Sequence, residues 1–97
     1  MSQEFALNNL GEWQKELWQR LQSHQIPENE RRITITEASN LTGLSKMQLS
    51  WLRLRRVVSI CSHPTLKWRG QPVATYAVSE MEITRQVYEE HKARTKS

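Results

Sequence analysis

Residues 35–56 read ITEASNLTGLSKMQLSWLRLRR, and the reading of the whole chain turns on how this stretch divides. Apolar residues recur at helical spacing on both sides of Gly43-Leu44-Ser45, which predicts two short helices joined by a tight turn. Such a turn needs a residue that tolerates positive φ, and Gly43 does so without steric penalty. Ser45 and Gln48 form a Ser-x-x-Gln capping box, whose side chains satisfy backbone donors left orphaned where a helix begins. In the first segment Ala38 and Leu41 are expected to point inward, and the small Ser39 lets the helices approach. Leu44, Leu49 and Leu52 make the apolar stripe of the second. Its opposite face is Lys46, Met47, Gln48, Ser50 and Arg53. That face offers an ammonium, an amide and a guanidinium, the donor types that read guanine and adenine in a major groove.

At these residues the chain resembles the DNA-binding domains of MerR-type regulators and the related phage excisionases, which carry a similar Glu-x-Ala-x-Leu-Thr-Gly-Val-Ser run. Glu37, Ser39, Leu41, Thr42, Gly43, Leu44, Ser45, Leu49 and Trp51 fall on the matching positions. Where MerR-type chains place a Gly-Leu-Leu step after the recognition helix, this one has Arg55-Arg56-Val57-Val58. The resemblance implies a mainly α fold with a small β hairpin, a winged helix-turn-helix. It also implies sequence-specific binding of double-stranded DNA, as a small transcriptional regulator, an excisionase-like factor or an architectural factor. Lys46, Met47, Gln48, Ser50 and Arg53 would then enter the major groove, and Arg55, Arg56, Lys67, Arg69 and Gln71 would meet flanking backbone.

The charge distribution agrees with that expectation. The net charge is +4, but residues 1–30 hold two cations against five acids and residues 31–69 hold eight cations against one acid. A positive field confined to the motif that enters a groove is the electrostatic footprint of a phosphate-binding surface. With 97 residues the chain is read as a single domain. No apolar run is long enough to span a membrane, and the first residues lack a basic-then-apolar signal pattern. The single cysteine, Cys61, allows no internal disulfide and fits a reducing compartment, so a cytoplasmic location is expected, nucleoid-associated if DNA is bound.

Outward from the motif, residues 2–25 read as one amphipathic helix or two short ones, with Asn9 and Glu12 as a start signal. Leu10, Trp13, Leu17, Trp18 and Leu21 form its apolar stripe. The stripe is expected to be core; the alternative is a homodimer seam or a protein-partner surface. Pro27 ends this helix. Arg32 to Thr36 has the β-branched alternation of a short strand leading into the helix-turn-helix of residues 36–56, with Thr36 as N-cap. Residues 57–61 read as a further strand or buried connection, closed by the breaker Ser62-His63-Pro64. Two strand-like runs around Gly70 predict a hairpin, the wing, over residues 65–78, with Trp68 expected to pack beneath it; the alternative is contact with sugar and phosphate. Ser79 and Glu82 make another capping box, opening a last helix over residues 79–91 with a frayed tail.

Catalytic and metal chemistry find little support in these residues. Cys61-x-His63 is one unit where zinc sites offer paired ligands on both sides, and no phosphate loop or nucleophile motif occurs. The expectation is a non-enzyme without a cofactor. The rival class is a protein-interaction module that uses the same fold as a scaffold and the tryptophan-rich first helix to bind a replication, transcription or nuclease partner.

Overall fold

The computed structural model describes residues 11–59 and 61–95, apart from the side chain of Pro64. The described residues form four helices and a small antiparallel sheet: α1 (Glu12–Gln22), β1 (Arg32–Ile33), α2 (Ile35–Thr42), α3 (Lys46–Leu54), β2 (Cys61–Trp68), β3 (Gln71–Ala77) and α4 (Val78–Thr95).

Local side-chain chemistry sets the start and end of α2 and α3. Thr34, rather than Thr36, caps α2. Its hydroxyl accepts from the Glu37 N–H at 3.3 Å while the Glu37 carboxylate reaches back to the Thr34 N–H at 3.5 Å. The expected strand over residues 32–36 is therefore cut to Arg32–Ile33, because a Thr-x-x-Glu box two residues earlier starts the helix. Gly43 ends α2 in the left-handed region with φ 81°, and its N–H donates to Ser39 O at 2.9 Å. Ser39 is more than small: its hydroxyl donates to the Leu44 carbonyl at 2.7 Å. Thr42 donates to Ala38 O at 2.8 Å and accepts from the Leu44 N–H at 3.1 Å. Ser45 and Gln48 form the expected reciprocal box at 3.0 and 3.1 Å. The turn between the helices is thus held by side chains on both sides.

α3 ends with the Val57 N–H bonded to Leu52 O at 3.0 Å and the Arg56 N–H bonded to Arg53 O at 3.1 Å. This pair is a Schellman motif, and Arg56 takes its left-handed position with φ 60°. Val57 and Val58 are buried in the core and precede the sheet, so of the two readings of residues 57–61 the buried connection fits Val57 and Val58, and β2 starts at Cys61. The buried carboxylate of Glu80 clamps this connection, accepting from the Ser59 N–H at 3.0 Å and the Ser59 hydroxyl at 2.8 Å.

The sheet order is β1-β3-β2. β1 pairs antiparallel with the end of β3, Arg32 with Ala77 and Ile33 with Tyr76, so the strand before α2 joins the hairpin that follows α3. β2 runs straight through Ser62-His63-Pro64, read from sequence as a breaker. The disruption survives as a bulge: pairing moves from Ser62↔Ala74 to Lys67↔Pro72. His63 organises it, its Nδ1 accepting from the Thr65 N–H at 3.1 Å and the Leu66 N–H at 2.7 Å.

α4 follows β3 without a break, so Ser79 lies inside its first turn and is not its N-cap. Glu30 supplies the capping carboxylate from a distance, accepting from the Ser79 N–H at 3.0 Å and the Ser79 hydroxyl at 2.8 Å. The helix continues past His91 to Thr95, where a frayed tail was expected. Its last turns pack on α1, with Arg20 3.0 Å from Glu90 and Arg94 3.2 Å from Glu16. α1 covers Glu12–Gln22 within the expected 2–25; Asn9 and Leu10 lie outside the described residues. Trp13, Leu17 and Leu21 are buried, and the Trp13 ring meets Tyr88 at 5.2 Å.

Tyr76 lies beneath α3 and links helix and sheet. Burial pushes its phenol above the ordinary value, while the nearby Arg53 guanidinium and the Ser50 hydroxyl pull the other way. The unfolded chain therefore releases this proton at lower pH than the folded one. The stabilisation is full below about pH 10 and is lost as pH rises past it. Urea unfolding at about pH 8 and about pH 11 should show a smaller alkaline loss for Tyr76→Phe than for the unaltered protein.

Candidate nucleic-acid interface

Three of the ion pairs join α1 and α4 or lie within α1, although Lys15, Arg85 and Lys92 on these helices have no carboxylate partner among the described residues. On the α1–α4 side Arg20 contacts Glu16 and Glu90, and Arg94 contacts Glu16. Arg31 lies 3.9 Å from Glu37, and Arg32 contacts the Cys61 thiol. Lys46, Arg53, Arg55, Arg56, Lys67 and Arg69 have no ion-pair partner among the described residues. These six lie on α3, its C-terminal turn and the hairpin. Burial of Leu49 and Leu52 sets which of them face solvent.

Lys46, Met47 and Gln48, all expected to read bases, are exposed at the start of α3. The Gln48 side-chain oxygen is engaged by the Ser45 N–H, which leaves its amide NH2 group for a ligand. Ser50 and Arg53 depart from expectation. Both are half-buried, Ser50 against the Tyr76 phenol and Arg53 with its Nε covered. They lie on the sheet side of the helix, away from its crest. Arg55 is half-buried with its guanidinium 5.3 Å from the Trp51 ring centroid, and Arg56 is exposed.

The crest of α3 is apolar, which sequence reasoning missed. Met47 is 82% exposed and Leu54 74% exposed, with half-buried Trp51 between them. The signal was present: positions 47, 51 and 54 follow i, i+4, i+7 spacing, a second stripe opposite Leu49 and Leu52. Beside it, an open groove of about 240 Å³ runs between α1 and α3, lined by Trp13, Gln14, Met47, Gln48, Trp51 and Leu52.

The hairpin closes through a two-residue turn, Trp68 pairing with Gln71 across Arg69 and Gly70. Arg69 has φ 52° and Gly70 φ 79°, the double left-handed conformation that matches the twist of paired strands. Lys67, Arg69 and Gln71 are exposed, as expected of a basic hairpin. Trp68, expected beneath it, is instead 70% exposed, with the Arg69 guanidinium 5.7 Å from its ring centroid. Residues 65–72 are all exposed, so among the described residues an inward-facing indole has no core to enter.

The apolar stripe of α1 is core. Trp13, Leu17 and Leu21 are buried and the half-buried Trp18 packs against them; Leu10 lies outside the described residues. Cys61 and His63 are engaged by Arg32 and by backbone N–H groups, and the described residues hold no group of three or more metal-ligating side chains. No described helix is long and apolar enough to cross a membrane. Comparison with known protein families, curated proteins and solved structures finds no match to this chain.

Arg56 and Arg69 share a further property. Both occupy left-handed positions where glycine or asparagine is sterically preferred, at a disadvantage of roughly 1 kcal/mol each. Two cations held against local preference point to a use outside folding. Arg56→Gly should therefore raise the urea midpoint or leave it unchanged while weakening duplex binding in a gel-shift titration. A parallel loss of stability and binding would make Arg56 merely structural.

Proposed function

We propose that the chain is a winged helix-turn-helix domain that binds double-stranded DNA, with α3 as the recognition helix and the β2–β3 hairpin as the wing. The observation that carries the reading is the segregation of charge. Residues 46–77, which make up α3, its C-terminal turn and the hairpin, hold six cations and no carboxylate, whereas α1 and α4 hold six acids against five cations and carry the Arg20 and Arg94 ion pairs. The order of elements supports it, since a strand before α2 pairs with the hairpin after α3. So does the resemblance of residues 37–51 to MerR-type and excisionase domains.

In this mechanism the N-terminal turn of α3 enters the major groove. Base reading rests on Lys46 and the Gln48 amide, with Met47 suited to a thymine methyl. Arg55, Arg56, Lys67 and Arg69 bind phosphates and carry most of the affinity. Service as a small regulator, an excision factor or an architectural protein is compatible with this contact set. Lys67→Ala should weaken all duplexes alike and lower the log–log salt slope by about one unit. Lys46→Ala should cost about 1–3 kcal/mol on a selected site and relax choice at one base pair. Selection from a random duplex pool, then gel shifts at two salt concentrations, measures both. An equal, sequence-independent loss for the two variants would rule out base reading by α3.

The apolar crest of α3 favours a second reading, in which this helix grips a protein partner. An amphipathic partner helix meets such an i, i+4, i+7 stripe better than a phosphate backbone does. Under the first reading Leu54→Glu weakens duplex binding by charge repulsion. Under the second it leaves duplex binding intact and abolishes a stable protein complex, as read by size-exclusion chromatography.

A further inference from the structure

We propose that Trp68 is a stacking wedge, which makes the protein prefer duplex DNA containing an unstacked position over continuous duplex. The inference rests on the DNA-binding reading and adds to it the class of DNA. Trp68 stands at the last position of β2, 70% exposed, directly before the tight turn. Leu66, two residues earlier along the strand, is 49% exposed. Two residues is the strand period that puts side chains on one face, so the hairpin presents an apolar edge toward its tip. Lys67 and Arg69 are the sequence neighbours of Trp68, Lys67 on the opposite face of the strand and the Arg69 guanidinium against the ring, both exposed and without carboxylate partners among the described residues.

An exposed ring at the tip of a basic ribbon fits one chemistry well. The ring face stacks on a base while Arg69 beside it and Lys67 on the other face of the strand hold the nearby backbone phosphates. The tip is also pre-ordered for that contact. The Arg69 guanidinium sits over the indole at 5.7 Å, and Arg69 keeps a left-handed backbone that an asparagine or glycine would adopt more easily. The bulge around His63 braces the arm, through two backbone N–H bonds to one imidazole nitrogen. An indole entering continuous duplex must first separate stacked bases, and a site lacking one base has already lost that stacking.

The test compares two labelled duplexes of one sequence, fully paired or with a single abasic site beside a 2-aminopurine. The unaltered protein should bind the abasic duplex more tightly by about tenfold or more and change the 2-aminopurine fluorescence. Trp68→Ala should abolish both the preference and the fluorescence change, and Trp68→Phe should keep part of each. Lys67→Ala should weaken both duplexes equally and leave the preference intact. Equal binding of the two duplexes by the unaltered protein, or a preference that survives Trp68→Ala, overturns the wedge alone. Absence of salt-sensitive binding to either duplex overturns the DNA-binding reading and the wedge with it.

Discussion

The burial of Leu49 and Leu52 against the core is the constraint on which the surface of this protein depends. A helix of about 3.6 residues per turn that buries these two has no freedom left in how it faces solvent. Met47, Trp51 and Leu54 must then ride on the crest, Gln48 lies on the α1 flank, and Ser50 and Arg53 turn toward Tyr76. The turn before the helix holds the same rotation from the other end. Leu44 is buried while its carbonyl and N–H are held by Ser39 and Thr42.

Two carboxylates far from that helix keep the sheet where it can support α3. Glu80, 5% exposed, holds Ser59 at the exit from the buried Val57-Val58 connection. Glu30 holds Ser79 at the start of α4. Each carboxylate accepts from the backbone N–H and the hydroxyl of one serine. Between them they anchor both ends of the hairpin, whose tip is left free of core contacts.

The basic side of the molecule carries conformational strain that the core does not require. Arg56 and Arg69 stand in backbone wells that disfavour a Cβ, and Met47, Leu54 and Trp68 leave apolar surface in water. Among the described residues these departures from local preference fall on α3, its C-terminal turn and the hairpin, and none falls on α1 or α4. The α1–α4 side instead carries the Arg20–Glu90 and Arg94–Glu16 ion pairs and the contact of buried Trp13 with Tyr88.

Much of the framework was legible in the residues themselves. Gly43 and the Ser45–Gln48 box marked the turn, and the leucine spacing marked the buried face, because these are properties of three or four neighbouring residues. The position of Arg56 was half legible, since it follows the helix where a glycine is usual, but only the Val57–Leu52 bond shows that an arginine takes that conformation. The fates of Ser50 and Arg53 depended on Tyr76, more than 20 positions away, and the N-terminal cap of α4 depended on Glu30, 49 residues before Ser79. Local pattern carries helix starts, turns and stripes because they are settled by contacts within a few residues. Which polar side chains are withdrawn into the fold, and whether an indole lies under a hairpin or stands clear of it, follows from what the rest of the chain places beside them.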